Sequence, residues 1–388
     1  MAELSCRTAG ESHGRAVTAL VEGMPAGVHI DLGLINGELR RRQGGYGRGG
    51  RMKIEQDAVD VLAGVRKDHS IGSPIVLQII NRDFRIDDAP EINRPRPGHA
   101  DLPGSIKWLT TDCRETLERA SARETAGRVA AGALAKCLLR EFGVECVGFV
   151  TELADARATV ADDATPSQLT ADRDANDVYT PDPAAADPMR QAIRDAKVNK
   201  DTAGGIIEVR VFDLPPGLGS CFRWQDKLDG RLMQAVGSIQ AFKGVEIGLG
   251  FNSARKPGSQ VHDAIHFDLA QRNSPNFGFT RQTNRAGGLE GGMTTGQVLI
   301  VRGAMKPIAT LMQGMDSVNL KTLQAERSDY ERSDVCAVPA ASVVAENVVA
   351  FEVARAWLDK FAGDTLEEVR AAHAHFAAAV RSLGPSTP

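Results

Sequence analysis

The chain has few aromatic side chains and no long apolar run. Only 5% of its 388 residues are Phe, Trp or Tyr, with three Trp and three Tyr. This disfavours a stacking platform for single-stranded nucleic acid. No segment has the roughly 20 consecutive apolar residues of a transmembrane helix, and the N-terminal residues lack the apolar core of a secretory signal. We therefore expect a cytoplasmic protein with no membrane or nucleic-acid partner.

Cysteine is also sparse and unpatterned. The six cysteines are scattered and include no Cys-x-x-Cys pair. In a chain of this length, that is typical of reduced thiols and not of a disulfide or zinc framework. No other cluster of ligand residues stands out, so we expect no bound metal. The chain is mildly acidic, with 46 Lys and Arg against 50 Asp and Glu, which makes a polyanionic partner unfavourable.

What the chain does have is glycine beside arginine. Residues 39–51, here named the Arg-Gly loop, contain five arginines, five glycines and no acidic residue. Glycine lets a backbone approach a ligand closely, and guanidinium groups bind phosphate or carboxylate through paired hydrogen bonds. The loop therefore indicates a site for a small anion. Its G-x-G-x-x-G match is not a dinucleotide fingerprint, because three arginines precede it in place of a buried strand.

Other polar islands recur along the chain. A single histidine, or an i,i+4 arginine pair such as Arg119 and Arg123, is ordinarily a solvated surface feature. Several such islands rich in Gly, Arg, His and Asp in one chain favour a shared site instead. They lie at residues 10–14, 94–101, 119–125, 291–296, 306–310 and 331–334.

Apolar patterning predicts a mixture of helices and strands. The β-rich runs 75–80, 206–212 and 298–301 predict strands, each after glycine. Periodic apolar residues predict helices over 112–142, 225–241, 342–361 and 364–383, the last with a capping box at Asp364 and Glu367. Residues 153–188 are poor in large apolar side chains and predict a peripheral excursion or lid. The class is α/β or α+β.

Taken together, the islands resemble the motifs of the chorismate synthase family, in the same order along the chain. This resemblance implies one domain over residues 1–388, with a variable peripheral segment around 150–200. It also implies an α/β (α+β) sandwich, with long central helices between antiparallel β-sheets, and a homotetramer. The matching islands are 10–14, 41–52, 96–101, 121–125, 240–246, 291–296, 306–310 and 331–334.

The resemblance also implies a reaction. Members of the family convert 5-enolpyruvylshikimate 3-phosphate to chorismate by a 1,4-anti elimination of phosphate, the last common step of the shikimate pathway to aromatic amino acids. They are lyases that need reduced FMN although the reaction has no net redox change. NADPH is an indirect reductant, through the enzyme itself in some members or through a separate flavin reductase.

Residue by residue, the resemblance assigns two binding sets. The substrate, with a phosphate and two carboxylates, would be bound by Arg42, Arg48, Arg51, Arg96 and Arg123. Two positions in the flavin set differ from common family versions: Ala120 replaces a serine and Gln240 an asparagine. The flavin would contact Arg119, Ala120, Ser121, Gln240, Ala241, Gly291, Lys306, Pro307, Ile308, Ala309, Thr310 and Arg332.

Four residues are implied in proton handling. His13 would protonate the departing phosphate, and His99 would lie near the N1 and O2 edge of the flavin and stabilise its reduced anion. Asp334, relayed through Ser12, would accept the proton that arrives at flavin N5. Histidine suits such roles because its pKa lies near the operating pH.

Two other classes of protein remain as alternatives. An NAD(P)H-driven flavin oxidoreductase could use the same anion-binding islands, but it would need a dinucleotide site. An RNA-binding protein could use the Arg-Gly loop, but the acidic composition and scarce aromatics disfavour it.

Overall fold

The computed structural model describes residues 3–50, 54–331 and 333–383. Within them, the α-helices are α1 (Leu32–Gln43), α2 (Asp101–Trp108), α3 (Arg114–Ala120), α4 (Thr125–Arg140), α5 (Pro166–Asp174), α6 (Pro183–Val198), α7 (Leu228–Gly237), α8 (Val338–Lys360) and α9 (Leu366–Arg381). The strands are β1 (Ser5–Ala9), β2 (Ala16–Glu22), β3 (Val59–Ala63), β4 (Val65–Arg66), β5 (His69–Ser70), β6 (Ile75–Ile80), β7 (Glu145–Leu153), β8 (Ala156–Arg157), β9 (Gly205–Phe212), β10 (Phe242–Ile247), β11 (Ile265–Phe267), β12 (Phe279–Arg281), β13 (Leu289–Glu290), β14 (Met293–Thr294), β15 (Leu299–Met305), β16 (Asp316–Val318) and β17 (Ala325–Arg327).

Two antiparallel sheets form the outer layers. The first has the order β1-β2-β6-β3, and the second has the order β10-β15-β9-β7-β8. Along β2 and most of β6, every second side chain is buried, because alternate residues of a strand point to opposite faces. The same alternation occurs along β15 of the second sheet, so each sheet turns an apolar face inwards. The remaining strands form two-stranded ribbons.

Helices α4 and α8 fill the space between the sheets. Helix α4 packs on β1, β2 and β6, helix α8 packs on β7, β9 and β15, and the two helices pack on each other. A methyl group at Gly132 would lie 2.2 Å from the carbonyl oxygen of Asn347, so glycine permits this close approach. Buried Leu134, Leu138 and Trp357 belong to the shared core. This confirms the predicted sandwich.

The helix predicted over 112–142 is wrong in one respect, because the chain breaks into α3 and α4. Ser121 has an extended backbone (φ −64°, ψ 147°), and its hydroxyl accepts a hydrogen bond from the amide of Arg123 to begin a 3₁₀ turn. Serine competes for backbone hydrogen bonds in this way. Arg119 and Arg123 therefore lie on either side of a break and not on one helix face.

The other predicted elements are present with shifted ends. Strands β6, β9 and β15 confirm the three predicted runs, and α7, α8 and α9 lie where helices were expected. The capping box of α9 is formed by Thr365 and Glu368, one residue later than predicted. Within 153–188 the chain forms β8 and α5 and enters α6. Among the described helices, none is both long and apolar enough to cross a membrane.

Candidate active site

The loop between β1 and β2 brings Ser12 and His13 onto helix α3. Gly10 has φ +105°, and a methyl group there would lie 2.2 Å from the carbonyl oxygen of Ala16, so the turn requires glycine. The amide of Ser12 donates to the carbonyl of Glu118 at 2.9 Å. The amide of His13 donates to the Glu118 carboxylate at 2.7 Å. The loop is thus fixed by one helical residue.

His13 and Glu118 form a histidine–carboxylate pair. The Nδ1 atom of His13 lies 2.9 Å from Oε1 of Glu118. Because a carboxylate only accepts, Nδ1 carries the proton, and Nε2 is left for chemistry. Burial acts to raise the pKa of Glu118, but the bonds from His13 and the charge of Arg114, 3.6 Å away, hold it below the usual value. Sequence reasoning missed Glu118, although it directly precedes a predicted site residue.

His99 and Asp101 form a second pair of the same design. Asp101 is fully buried at the start of α2, and its carboxylate accepts from Nδ1 of His99. Arg96 donates to the same carboxylate from Nε at 2.8 Å and from Nη2 at 3.1 Å. Burial opposes ionisation, but the bonds from His99 and Arg96 hold the pKa of Asp101 well below its usual range. Each histidine therefore has an ionised carboxylate and an arginine behind it.

Asp101→Asn is expected to lower the free energy of unfolding at pH 7 by about 1–3 kcal/mol, because it removes a buried charge-assisted network. Since the folded pKa is depressed, the ionised carboxylate stabilises the fold above the unfolded pKa of about 3.9. That contribution is lost as the pH falls through the folded value. The gap between variant and wild type should therefore shrink below pH ~4. Urea unfolding from pH 7 to pH 3 measures it.

The exposed Asp155→Asn provides a control of the same chemistry and should change the free energy of unfolding little at any pH. A gap between Asp101→Asn and wild type that stays constant on acidification would contradict the account of this carboxylate.

Arg42 and Arg123 share one buried carboxylate. Asp57 accepts from Nη1 of Arg42 at 3.2 Å and from Nη1 of Arg123 at 2.6 Å. Burial is the main cause that lowers the pKa of Arg42 to about 9, and the charges of Arg123 and Arg48 add to it against the effect of Asp57. Glu55, which is also buried, lies 3.9 Å from Arg123, so two guanidinium groups and two carboxylates are packed together in this cluster.

Arg123 also holds a spare donor. Its Nε donates to Oδ1 of Asn81 at 2.7 Å, and Asn81 in turn donates to carbonyls of the loop that carries His13. Its Nη2 is buried without a hydrogen-bond partner among the described residues, and the Glu55 carboxylate is 3.9 Å away. A buried unsatisfied donor is costly, so this atom indicates a ligand that accepts a hydrogen bond.

The three consecutive arginines at the end of α1 point in different directions. Successive helical residues are rotated by about 100°. Arg40 is exposed, Arg41 pairs with the buried Glu346 at 2.9 Å, and Arg42 enters the site. The residues after them, 45–50, follow a helix and not a strand, so the structure gives the G-x-G-x-x-G match no dinucleotide context.

Arg48 and Asp334 meet at the far end of the loop. Their side chains pair at 3.2 Å, and the amide of Gly49 donates to Asp334 at 2.6 Å. Ser12, the expected relay, accepts a hydrogen bond from Ser121 at 3.1 Å. Two predicted site residues, Arg51 and Arg332, lie outside the described residues.

The loop 306–310 joins several predicted flavin residues to the second histidine. Nη1 of Arg96 donates to Oγ1 of Thr310 at 2.9 Å, and a methyl group at Gly98 would lie 3.6 Å from both Ala309 and the Lys306 ammonium. The amide of Lys306 donates to the carbonyl of Ala241 at 3.0 Å. This brings residues 96–101, 240–241 and 306–310 into one region, with Pro307 and Ile308 in the same loop.

The first histidine pair is linked to this region from two sides. Arg114, which faces Glu118, also pairs with Glu331 at 3.1 Å. The hydroxyl of Ser333 donates to the carbonyl of Thr310 at 3.3 Å. Glu331 and Ser333 therefore connect the two histidine pairs.

The remaining predicted flavin residues divide into two groups. Arg119 donates to the carbonyls of Thr8 and Gly10, and Ala120 ends α3 beside Ser121. Gln240 donates to Glu124 at 3.2 Å, whereas its Oε1 is buried without a partner in the described part of the chain. Gly291 lies in the turn between β13 and β14, and Met293 in β14 pairs with Gly219, which precedes α7.

Surface shape and site chemistry do not coincide. A cavity of 350 Å³ lies over α5, and one of 490 Å³ is lined by Thr8, Glu124 and Arg128 among others. Neither is lined by His13 or His99. We assign the site to the region where the buried charged residues and the histidine pairs meet, because these groups can bind anions and transfer protons. The residues that line the two cavities offer no such combination.

Comparison with known proteins gives one consistent result. The family model described as chorismate synthase matches residues 4–358. A chorismate synthase of Desulforamulus reducens is 52% identical over 376 residues, covering 94% of this chain and 96% of the relative. One of Geobacter metallireducens is 51% identical, covering 94% and 95%. A crystal structure of chorismate synthase superimposes with a TM-score of 0.80 at 38% identity and covers 99% of this chain.

Proposed function

The chain belongs to the chorismate synthase family, and we propose that the two histidine pairs and the buried arginines form its active site. It is accordingly a lyase of aromatic amino-acid biosynthesis that eliminates phosphate from 5-enolpyruvylshikimate 3-phosphate. The observation that carries the proposal is the Asp57 cluster. Its two guanidinium groups are buried, and Nη2 of Arg123 has no hydrogen-bond acceptor among the described residues. This suits a substrate with one phosphate and two carboxylates.

We propose that Arg42, Arg48, Arg96 and Arg123 bind these anionic groups, with Arg51 as a further ligand. Arg42 and Arg123 are held rigidly by Asp57, Thr125 and Asn81. Their donors are thus oriented before the substrate arrives, which reduces the entropy cost of binding.

His13 is proposed as the general acid. Glu118 fixes the proton on Nδ1 and orients the ring, so that Nε2, in its protonated form, can donate to the departing phosphate oxygen. His99 is held in the same way by Asp101 and is proposed to stabilise negative charge on the reduced cofactor. Asp334 is proposed to accept the ring proton through Ser12, and its carboxylate is paired with Arg48 at 3.2 Å.

Reduced FMN is the proposed cofactor, and the residues present fit it. Oε1 of Gln240 is a buried acceptor without a partner among the described residues. Within the described part of the chain, the Lys306 ammonium makes one hydrogen bond, a long one of 3.4 Å to the Pro307 carbonyl, so it would suit a phosphate. The proposed set is Arg119 to Ser121, Gln240, Ala241, Gly291, Lys306 to Thr310 and Arg332. When bound, reduced FMN supplies an electron transiently and recovers it, so the elimination has no net redox change.

Lys306→Met is expected to weaken FMN binding about ten-fold, because one charge-assisted hydrogen bond to phosphate is lost. Quenching of flavin fluorescence on titration measures the dissociation constant without turnover. Lys256 is exposed, so Lys256→Met serves as the matched control and should bind FMN normally. Equal affinity in both variants would remove Lys306 from the flavin site.

The source of electrons and the assembly are further parts of the proposal. The 45–50 stretch lacks a dinucleotide context, so we propose that NADPH acts indirectly, through a separate flavin reductase. Oxidation of NADPH by the pure protein with free FMN would contradict this. We propose the homotetramer that the family resemblance implies. The exposed apolar side chains of Phe222, Trp224 and Phe251 would suit an interface between copies of the chain. We propose that it acts in the cytoplasm.

The function itself is tested without oxygen. The protein, chemically reduced FMN and 5-enolpyruvylshikimate 3-phosphate should yield chorismate, which is followed by its ultraviolet absorbance. The flavin-free sample should yield none. A protein that binds FMN but forms no chorismate would have a different reaction.

A further inference from the structure

Helix α1 is tied to the peripheral segment through a buried charge cluster. Arg41 donates to Glu346 at 2.9 Å, and Arg173 at the end of α5 donates to the same carboxylate at 3.2 Å. Lys136 on α4 also pairs with it. Glu346 is 2% exposed. Arg173 lies at the end of α5, in the segment predicted to be peripheral. Through Glu346 it is linked to Arg41 on α1, the helix that also carries Arg42.

Tyr179 makes a second and closer link. Its carbonyl accepts from the amide of Val150 in β7 at 2.9 Å, so the five-stranded sheet holds it in place. Its hydroxyl donates to the carbonyl of Arg41 at 3.0 Å. At Gly44, where α1 ends, a methyl group would lie 2.3 Å from that hydroxyl oxygen. Glycine at this position allows the tyrosine to touch the helix end.

The next residues of the loop are held from the same side. The amide of Tyr46 donates to the carbonyl of Asp177 at 2.6 Å. A methyl group at Gly45 would lie 2.7 Å from Cβ of Pro339, so the loop passes between the segment and the start of α8. Tyr179 thus contacts the Arg-Gly loop at Arg41 and Gly44, and Asp177 contacts it at Tyr46.

We propose that residues 173–179 are a positioning element for the Arg-Gly loop and set the geometry with which Arg42 and Arg48 bind the anionic groups of the substrate. None of these residues need touch the ligand. The inference rests on the proposed function and extends it, because it gives the peripheral segment a role in substrate affinity. A segment that only covered the sheet would affect stability alone.

The test is a double-mutant cycle at Tyr179 and Gly44. Tyr179→Phe removes one hydrogen bond and should raise KM for the substrate about three- to ten-fold, as one net hydrogen bond does for an equilibrium constant. The turnover number and the dissociation constant for FMN should stay within about two-fold. Gly44→Ala should raise KM further than Tyr179→Phe, because its methyl group displaces the tyrosine.

The cycle has a distinctive outcome. Without the hydroxyl, the nearest Tyr179 atom to the new methyl group is the ring carbon at 3.5 Å, an ordinary contact. Gly44→Ala should therefore cost less in the Tyr179→Phe background than in wild type, and this coupling identifies direct contact. Thr165→Ala, which removes the capping box of α5 in the same segment, is the control and should leave KM unchanged.

Two results would overturn the proposal: an unchanged KM in Tyr179→Phe, or a loss confined to stability and turnover number. Affinity for inorganic phosphate, measured by thermal shift, separates this from failure of the proposed reaction. If wild type forms no chorismate but phosphate binding weakens in Tyr179→Phe and not in Thr165→Ala, the positioning role stands and the reaction is wrong. Equal phosphate affinity in all three proteins would reject the positioning role.

Discussion

His13→Ala is expected to lower the turnover number by about 10²–10⁴-fold, the usual contribution of a general acid. The structure supports this role, because Glu118 fixes the Nδ1 proton and holds the loop through the backbone as well. The backbone bond does not depend on the imidazole, so the variant should keep its fold. Steady-state kinetics without oxygen measures the effect, and circular dichroism measures the fold.

His375→Ala is the matched control, since His375 lies exposed on α9. It should retain wild-type turnover. If His13→Ala also turned over at near wild-type rate, His13 would have no part in proton transfer, and the pair with Glu118 would be structural only.

Arg42→Ala is expected to weaken substrate binding about 10- to 100-fold, because charge-assisted hydrogen bonds are each worth roughly 1.5–3 kcal/mol. Its free energy of unfolding should also fall, by about 1–3 kcal/mol, since bonds to Thr125 and Asp57 are lost. Asp57 keeps Arg123 as a partner, so the protein should remain folded. Titration of the folded variant with substrate measures the affinity.

Arg40→Ala provides the control two residues earlier on the same helix. Arg40 is exposed, so both substrate affinity and stability should stay close to wild type. Equal substrate affinity in the Arg40 and Arg42 variants would contradict the assignment of the Asp57 cluster as the anion site.

The sequence predicts the architecture better than the site. Runs such as 75–80 form strands as expected, because β-branched and aliphatic residues suit a strand with one buried face. The break at Ser121 was missed, since apolar periodicity continues on both sides of it and only the serine hydroxyl competes for the backbone. A helix boundary that depends on a single side chain cannot be recognised from the apolar pattern of the sequence.

Apart from Asp101, which is two residues from His99, the partners of the predicted site residues could not be predicted from local spacing. Glu118 is 105 residues from His13, and Asp57 is 66 residues from Arg123. Such pairs are formed by tertiary packing, and a single sequence carries no signal for them. The run Arg40 to Arg42 shows the same limit, because only the helix orientation decides which arginine is exposed, which joins Glu346 and which enters the site.

The central claim is an elimination without net redox change at the site of the two histidine pairs. The most direct test is the balance of products and flavin after anaerobic turnover, with phosphate, chorismate and the flavin spectrum measured together. The account predicts equal amounts of phosphate and chorismate and flavin that is still reduced at the end. Flavin oxidised in proportion to product, or product formed without flavin, would contradict it.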